Sequence, residues 1–168
     1  VATVTMTLVP VNDVPVATAQ AVMVTEDTAA TITLAGTDVE GSTLTYTVVT
    51  QPSKGVLSGT APNLTYTPNA NATGSDSFTF KVNDGTVDSV TATVSITIDA
   101  VNDVPVATAQ SVTVTEDTAA TITLAGTDVE GSTLTYTVVT QPSKGVLSGT
   151  APNLTYTPNA NATGSDSF

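Results

Sequence analysis

Carboxylates carry nearly all the chemistry this chain could do. Fifteen Asp and Glu stand against three lysines, with no arginine, histidine or cysteine, and the formal charge is −12. Thiolate and imidazole metal sites, disulfides, Ser-His-Asp triads and histidine acid/base chemistry are therefore out of reach. Oxygen ligands for a hard cation remain. The acids fall in short groups beside Asn and Gly: Asn12-Asp13, Glu26-Asp27, Asp38-Val39-Glu40-Gly41, Asn83-Asp84-Gly85 with Asp88, Asp99, Asn102-Asp103 and Asp128-Val129-Glu130. Such a charge balance makes nucleic acid and anionic membrane surfaces poor partners. Uninterrupted apolar runs are a few residues long, against the roughly 20 that span a bilayer, so no membrane insertion is expected; nor does a signal-peptide pattern open the chain.

An internal repeat dominates the elements that must position these acids. Val11 to Phe78 recurs as Val101 to Phe168, a shift of 90 residues, with only Ala21/Ser111 and Met23/Thr113 differing. Residues 1–10, VATVTMTLVP, match 91–100, TATVSITIDA, more loosely. Three segments are expected on this pattern: 1–10 as the last strand of a preceding repeat, 11–100 as a complete β-sandwich repeat, and 101–168 as an incomplete copy lacking its last two strands. The chain reads as a window on a longer tandem array.

Within one repeat Thr and Val alternate with a period of two, which is the pattern of half-buried strands and not of helices. Strands are predicted near 20–25, 29–36, 43–50, 55–59, 63–67, 76–83 and 90–98. Val22, Val24, Ile32, Leu34, Leu44, Tyr46, Val48, Leu64, Tyr66, Phe78, Phe80, Val82, Val94, Ile96 and Ile98 fall on the inward parity and form the predicted core. The threonines between them face water, where branching favours the extended backbone and the hydroxyl stays hydrated. Seven short strands between Gly, Pro, Asn and Asp turns describe an immunoglobulin-like two-sheet sandwich, so the expected fold is all-β, with such seven-stranded sandwiches in tandem, joined end to end.

If successive strands run antiparallel, the loops alternate between two poles, and so do the acids. Glu26, Asp27 and Asp99 fall at the lower pole of the first repeat, Asn102 and Asp103 in the linker, and Asp128 and Glu130 at the upper pole of the next. At the junction before the first repeat the corresponding set is Asn12, Asp13, Asp38, Glu40, Asp84 and Asp88. Carboxylates gathered so closely repel one another unless a cation lies between them. Calcium suits them best, because it takes about 6–8 oxygen ligands in irregular geometry, whereas magnesium keeps a strict octahedron and zinc wants nitrogen or sulfur. A shared ion would stiffen each joint, making neighbouring repeats of the same chain the natural partners.

VNDVPVA, TEDTAATITL, GTDVEGSTLTYTVV, QPSKGVL, LTYTPNANATGSDSFTFKVNDG and TATVSITI, in that order, resemble the cadherin-like or bacterial immunoglobulin-like tandem repeats of large surface adhesins. The likeness covers the whole 90-residue unit. It implies extracellular extender modules, secreted or on the cell surface, that hold a terminal binding region away from the cell and are commonly stiffened by calcium. Asp99-Ala100-Val101-Asn102-Asp103 is similar to the cadherin linker, Asp128-Val129-Glu130 to its Asp-x-Asp loop and Glu26 to its lower-loop glutamate. Two departures imply fewer or weaker ions. Asn69-Ala70-Asn71 stands where cadherins carry an acidic pair, and Val9-Pro10 replaces Asp99-Ala100 at the first junction.

Other readings stay open at this level. Asp and Asn are common in turns for their geometry alone, and negative charge keeps an array soluble. Asp76 fits that plain role. The Asp38/Glu40 and Asp128/Glu130 pairs lack the cleft and the separated environments of a glycosidase acid/base couple, so catalysis is not expected. Tyr46, Tyr66, Tyr136 and Tyr156 could stack on sugars, but their parity places them in the core. Lys81 alternates outward, which disfavours an isopeptide bond. Beside the extender reading stand a self-assembling filament, with other copies pairing along strand edges, and a weak carbohydrate- or cell-binding repeat.

Overall fold

The computed structural model describes residues 2–168, and β-strand is the only regular element among them. No helix is long and apolar enough to cross a membrane. The chain forms two compact units, Val1–Val101 and Asn102–Phe168.

Unit 1 is a sandwich of two sheets. One has the order β2 (Gln20–Thr25), β9 (Ala92–Asp99), β8 (Gly74–Asn83), β5 (Thr45–Thr50); the other has the order β3 (Ala30–Thr33), β7 (Asn63–Pro68), β6 (Gly55–Thr60). All neighbours are antiparallel except β2 and β9, which run parallel with Thr25 opposite Asp99. Alternation makes this core: along β9, Ala92, Val94, Ile96 and Ile98 are buried while the threonines and serine between them are exposed. Tyr66, Phe78, Phe80 and Val82 are fully enclosed, and Tyr46 stacks on Phe80 with ring centroids 6.4 Å apart. Burying one such side chain is worth about 1.5–3 kcal/mol, so these residues dominate the stability of the unit.

Two features depart from the simple alternating strands. The strand expected over 29–36 breaks after Thr33, and its end, β4 (Gly36–Thr37), pairs instead with β1 (Val16–Ala17). Gly36 permits the switch, since a Cβ there would meet the Val16 carbonyl at 3.0 Å and Leu44 and Val82 at 3.1 Å. The strand expected over 43–50 begins at Thr45 and bulges between Val48 and Thr50, leaving Val49 half exposed on an edge strand. Bulges of this kind discourage edge-to-edge pairing.

Unit 2 repeats the smaller sheet in the same register, as β11 (Ala120–Thr123), β14 (Asn153–Pro158) and β13 (Gly145–Thr150). The short pair recurs too, as β10 (Val106–Ala107) with β12 (Gly126–Thr127). Its residues 110–115, the copy of β2, form no strand. Residues 2–10, expected as a strand, are exposed and in no strand.

Candidate functional site

The lower end of unit 1 is built by the parallel pair. Because Thr25 lies opposite Asp99, Glu26 follows β2 at the point where β9 leaves the sheet. Its amide donates to the Asp99 carbonyl at 3.0 Å, and its Oε1 accepts the Val101 amide at 2.5 Å. Glu26 is only 1 % exposed, and its Oε2 is buried without accepting a hydrogen bond. Orphaned oxygens of this kind are rare in folded proteins and call for a donor or a cation. Asp27 takes the left-handed conformation (φ 57°) that Asp tolerates in tight turns, and both Asp27 and Asp99 are exposed. In unit 2 the copy Glu116 is exposed.

At the upper end of unit 1 the turn Asp38–Gly41 is closed by the Asp38 carbonyl and by Asp38 Oδ1, which accepts the Ser42 amide at 2.8 Å. Asp38 Oδ2 is buried and receives no hydrogen bond. Glu40 Oε2 accepts the Asp13 amide at 3.1 Å, and the Asn12 amide group donates to Asp84 Oδ2 at 2.8 Å. Asn12, Asp13, Glu40 and Asp84 are thus brought together. Unit 2 reproduces part of this arrangement: Glu130 Oε2 accepts the Asp103 amide at 3.2 Å, Asn102 bonds the Asp103 carbonyl at 2.8 Å, and Asp128 Oδ1 accepts the Ser132 amide at 2.8 Å.

The carboxylates at this end differ in how far their own chain occupies them. Asp84 is held below the usual carboxylate range by the Asn12 amide, then by the Val87 and Thr86 amides. Asp88 is lowered by the Lys81 ammonium, which donates to Oδ2, and by the Asn83 amide, which donates to Oδ1 at 2.8 Å. Both Asp88 oxygens therefore have protein partners, while Asp38 keeps one open. Lys81 and Asp88 are each about a third to a half exposed, and exposed pairs contribute little. Lys81→Met should accordingly lower the stability of unit 1 by less than about 1 kcal/mol in urea denaturation. A loss of about 2 kcal/mol or more would show that the pair anchors the loop.

One acid has a role its sequence context hid. Asp76 lies inside β8, 8 % exposed, and accepts the Ser53 amide (2.9 Å), the Ser53 hydroxyl (3.1 Å), the Lys54 amide (2.9 Å), the Tyr66 hydroxyl (2.8 Å) and the Ser77 amide (2.9 Å). Burial pushes its carboxyl up, but these donors outweigh burial and hold it down at about 2. Tyr66 is raised, first by burial and then by its bond to the Asp76 charge. Gly55 makes room for the ring, since a Cβ there would stand 2.5 Å from it. Asp166 repeats the arrangement with Ser143, Lys144 and Tyr156. The signal was available in the parity: 76 shares its face with 78, 80 and 82.

The family model of the bacterial Ig domain matches residues 12–97 and again 102–168. Among solved structures, human protocadherin-24 EC1-2 is similar with a TM-score of 0.54 at 14% identity, covering 89% of this chain and 79% of that one. The endo-fucoidan hydrolase MfFcnA4 from glycoside hydrolase family 107 is 27% identical with a TM-score of 0.46, over 86% of this chain and 24% of that one. This chain therefore spans about a quarter of the hydrolase's length. No curated protein matches. The protocadherin likeness gives the sandwich fold alone, while the two family matches fall on the two repeats, so the chain belongs to the bacterial Ig domain family as a tandem pair.

Proposed function

We propose that this chain is a structural extender of an extracellular adhesin or fibre, its modules stiffened by calcium bound at their ends. The observation that carries the reading is the Glu26 carboxylate: enclosed, oriented by the Val101 amide through one oxygen, and left with the other oxygen unpartnered. The donor set fits a hard cation, because every candidate ligand is a carboxylate or amide oxygen and the chain has no histidine or cysteine. Glu26, Asp27 and Asp99 would hold the ion at the lower end of the first module. In the second module Asn102, Asp103, Asp128 and Glu130 gather at its own upper end, where Glu130 Oε2 accepts the Asp103 amide. For the first repeat, Asp38 and Glu40 would serve with Asn12 and Asp13, while Asp84 and Asp88 contribute less because their own chain already occupies them. When bound, calcium supplies charge neutralisation and a fixed coordination shell.

Such a module reaches and stiffens. Catalysis is no part of this reading, since Asp38/Glu40 and Asp128/Glu130 each share one tight turn and lack the separated environments of an acid/base couple. Family membership supports an extracellular setting, where millimolar calcium is ordinary for modules of this affinity class. The test is a melting curve and an end-to-end distance, measured with donor and acceptor dyes at the two ends, in calcium and in chelator. Calcium should raise the melting temperature by several degrees, as expected for a ligand well above its dissociation constant, and should narrow the distance distribution. Equal curves and equal distributions would remove calcium from the reading and leave a plain spacer.

A further inference from the structure

Each repeat carries two Asn-x-Thr triplets, Asn63-Leu64-Thr65 and Asn71-Ala72-Thr73, with copies Asn153-Leu154-Thr155 and Asn161-Ala162-Thr163. This is the acceptor pattern for N-linked sugar, and it belongs on surface loops. The fold treats the two triplets differently. The first lies inside β7, the central strand of its sheet, where Asn63 pairs with Thr33 and Thr60, and Thr65 with Thr31 and Ser58. Asn63 is exposed, but ladders on both sides hold its backbone, Leu64 is buried, and Asn63 Oδ1 accepts the Thr33 hydroxyl at 3.2 Å. Drawing this triplet into an enzyme would unzip the sheet. The second triplet lies on the loop between β7 and β8, with Asn71 and Thr73 both exposed. Asn71 takes the left-handed conformation that Asn tolerates, at φ 57°, and Asn161 repeats the angle. Main-chain groups and one lysine hold the loop: the Ala72 amide donates to the Asn69 carbonyl at 3.0 Å, the Asn69 amide to the Lys54 carbonyl at 2.8 Å, and the Lys54 ammonium to the Thr73 carbonyl at 2.7 Å. Unit 2 keeps all three contacts through Ala162, Asn159, Lys144 and Thr163. Among the described residues, no hydrogen bond engages the Asn71 amide group or the Thr73 hydroxyl. The two side chains are thus presented by a fixed loop that does not need them.

We infer that Asn71 and Asn161 are acceptors for N-linked sugar, one on each repeat, and that Asn63 and Asn153 are not. The donor is a sugar activated as a diphosphate ester, carried on a nucleotide or on a lipid. Asn71 Nδ2 attacks the anomeric carbon, the bond from that carbon to the diphosphate oxygen breaks, and the diphosphate leaves with the bonding pair. The amide gives up one proton to a base of the transferase, and a C–N bond replaces the C–O bond. This chain supplies the amide and, two residues on, the hydroxyl by which the triplet is recognised. Residues 68–75 carry no charged side chain, so a bulky hydrated sugar there adds solubility where charge does not. It also shields an exposed loop of the kind that proteases cut. The inference is independent of any metal ion.

Intact mass and peptide mapping of the folded 168-residue chain test it, after incubation with two N-glycosyltransferases in parallel. One takes hexose from a nucleotide diphosphate and the other an oligosaccharide from a lipid diphosphate, so the arm that reacts identifies the donor. The chain should gain two sugars, mapped to Asn71 and Asn161. Asn71→Gln should leave one, and so should Thr73→Ala, which keeps the asparagine and removes only the hydroxyl. Thr73→Ser should restore two. Both side chains are exposed and unbonded, so these variants fold as the parent does. No gain in mass in either arm would overturn the proposal, as would modification of Asn63 to the same extent as Asn71, or two sugars on the Thr73→Ala chain.

Discussion

Asp76→Ala should cost unit 1 about 3 kcal/mol near neutral pH, and the cost should shrink to about 1 kcal/mol near pH 2. The first figure reflects what is lost: a buried carboxylate with five donors aimed at it, of which the Ser53 and Lys54 amides and the Tyr66 hydroxyl would be left facing an apolar gap. Hydrogen bonds to a charged group are worth about 1.5–3 kcal/mol, and leaving buried donors unpaired adds to the deficit. The second figure follows from linkage. The folded carboxyl sits at about 2 against an ordinary value of 3.8, so the unfolded chain binds the proton more readily. Stability from this group is complete above about pH 4 and drains away as the pH falls through about 2, by about 2 kcal/mol for a gap of nearly two units. The variant has no such group, and its difference from the parent should track that loss. A difference in urea midpoint free energies that stays flat from about pH 6 to pH 2 would mean the network is not what holds the carboxyl down.

How much of this was legible beforehand can be judged residue by residue. The alternation of Thr with Val, Ile and Phe fixes which face each side chain takes, so Phe78, Phe80, Val82, Val94, Ile96 and Ile98 were placed inward from sequence, and all are at most 2% exposed. Counting loops from pole to pole likewise puts Glu26 and Asp99 at one end, and the β2/β9 register brings them together. Parity does not report curvature. The break after Thr33 and the bulge at Val48/Thr50 arise where one strand serves two neighbours or leaves an edge, which depends on partners distant in sequence. Parity gives a face and not the partners on it: it sets Asp76 beside Phe78, Phe80 and Val82 but does not report its donors. Asp76 was read as a turn residue because its donors lie 22 and 23 residues upstream, on a loop whose path only the folded chain defines. Orphaned oxygens were equally out of reach, since the sequence gives a carboxylate's position along the chain and not its count of donors.

Glu26→Gln should reverse the sign of its effect between calcium and chelator, and this reversal separates a cation ligand from an ordinary buried acid. In chelator the parent encloses a carboxylate oxygen that nothing compensates. The amide keeps an acceptor for Val101 while removing the charge, so the variant should be more stable by about 1 kcal/mol. With calcium the parent gains binding free energy that grows as RT ln(1 + [L]/Kd), roughly 2.7 kcal/mol at a hundredfold excess over Kd. A neutral amide coordinates a hard cation far less strongly than a carboxylate, so the variant should forgo most of that gain and become the less stable protein. Melting curves of both proteins across a calcium titration should therefore cross. Parallel curves, with the glutamine protein above or below the parent at every calcium concentration, would make Glu26 a structural acid whose second oxygen has some other partner. The open acceptor at Asp38 Oδ2 would then be the remaining place to look for the ion, by the same substitution and the same titration.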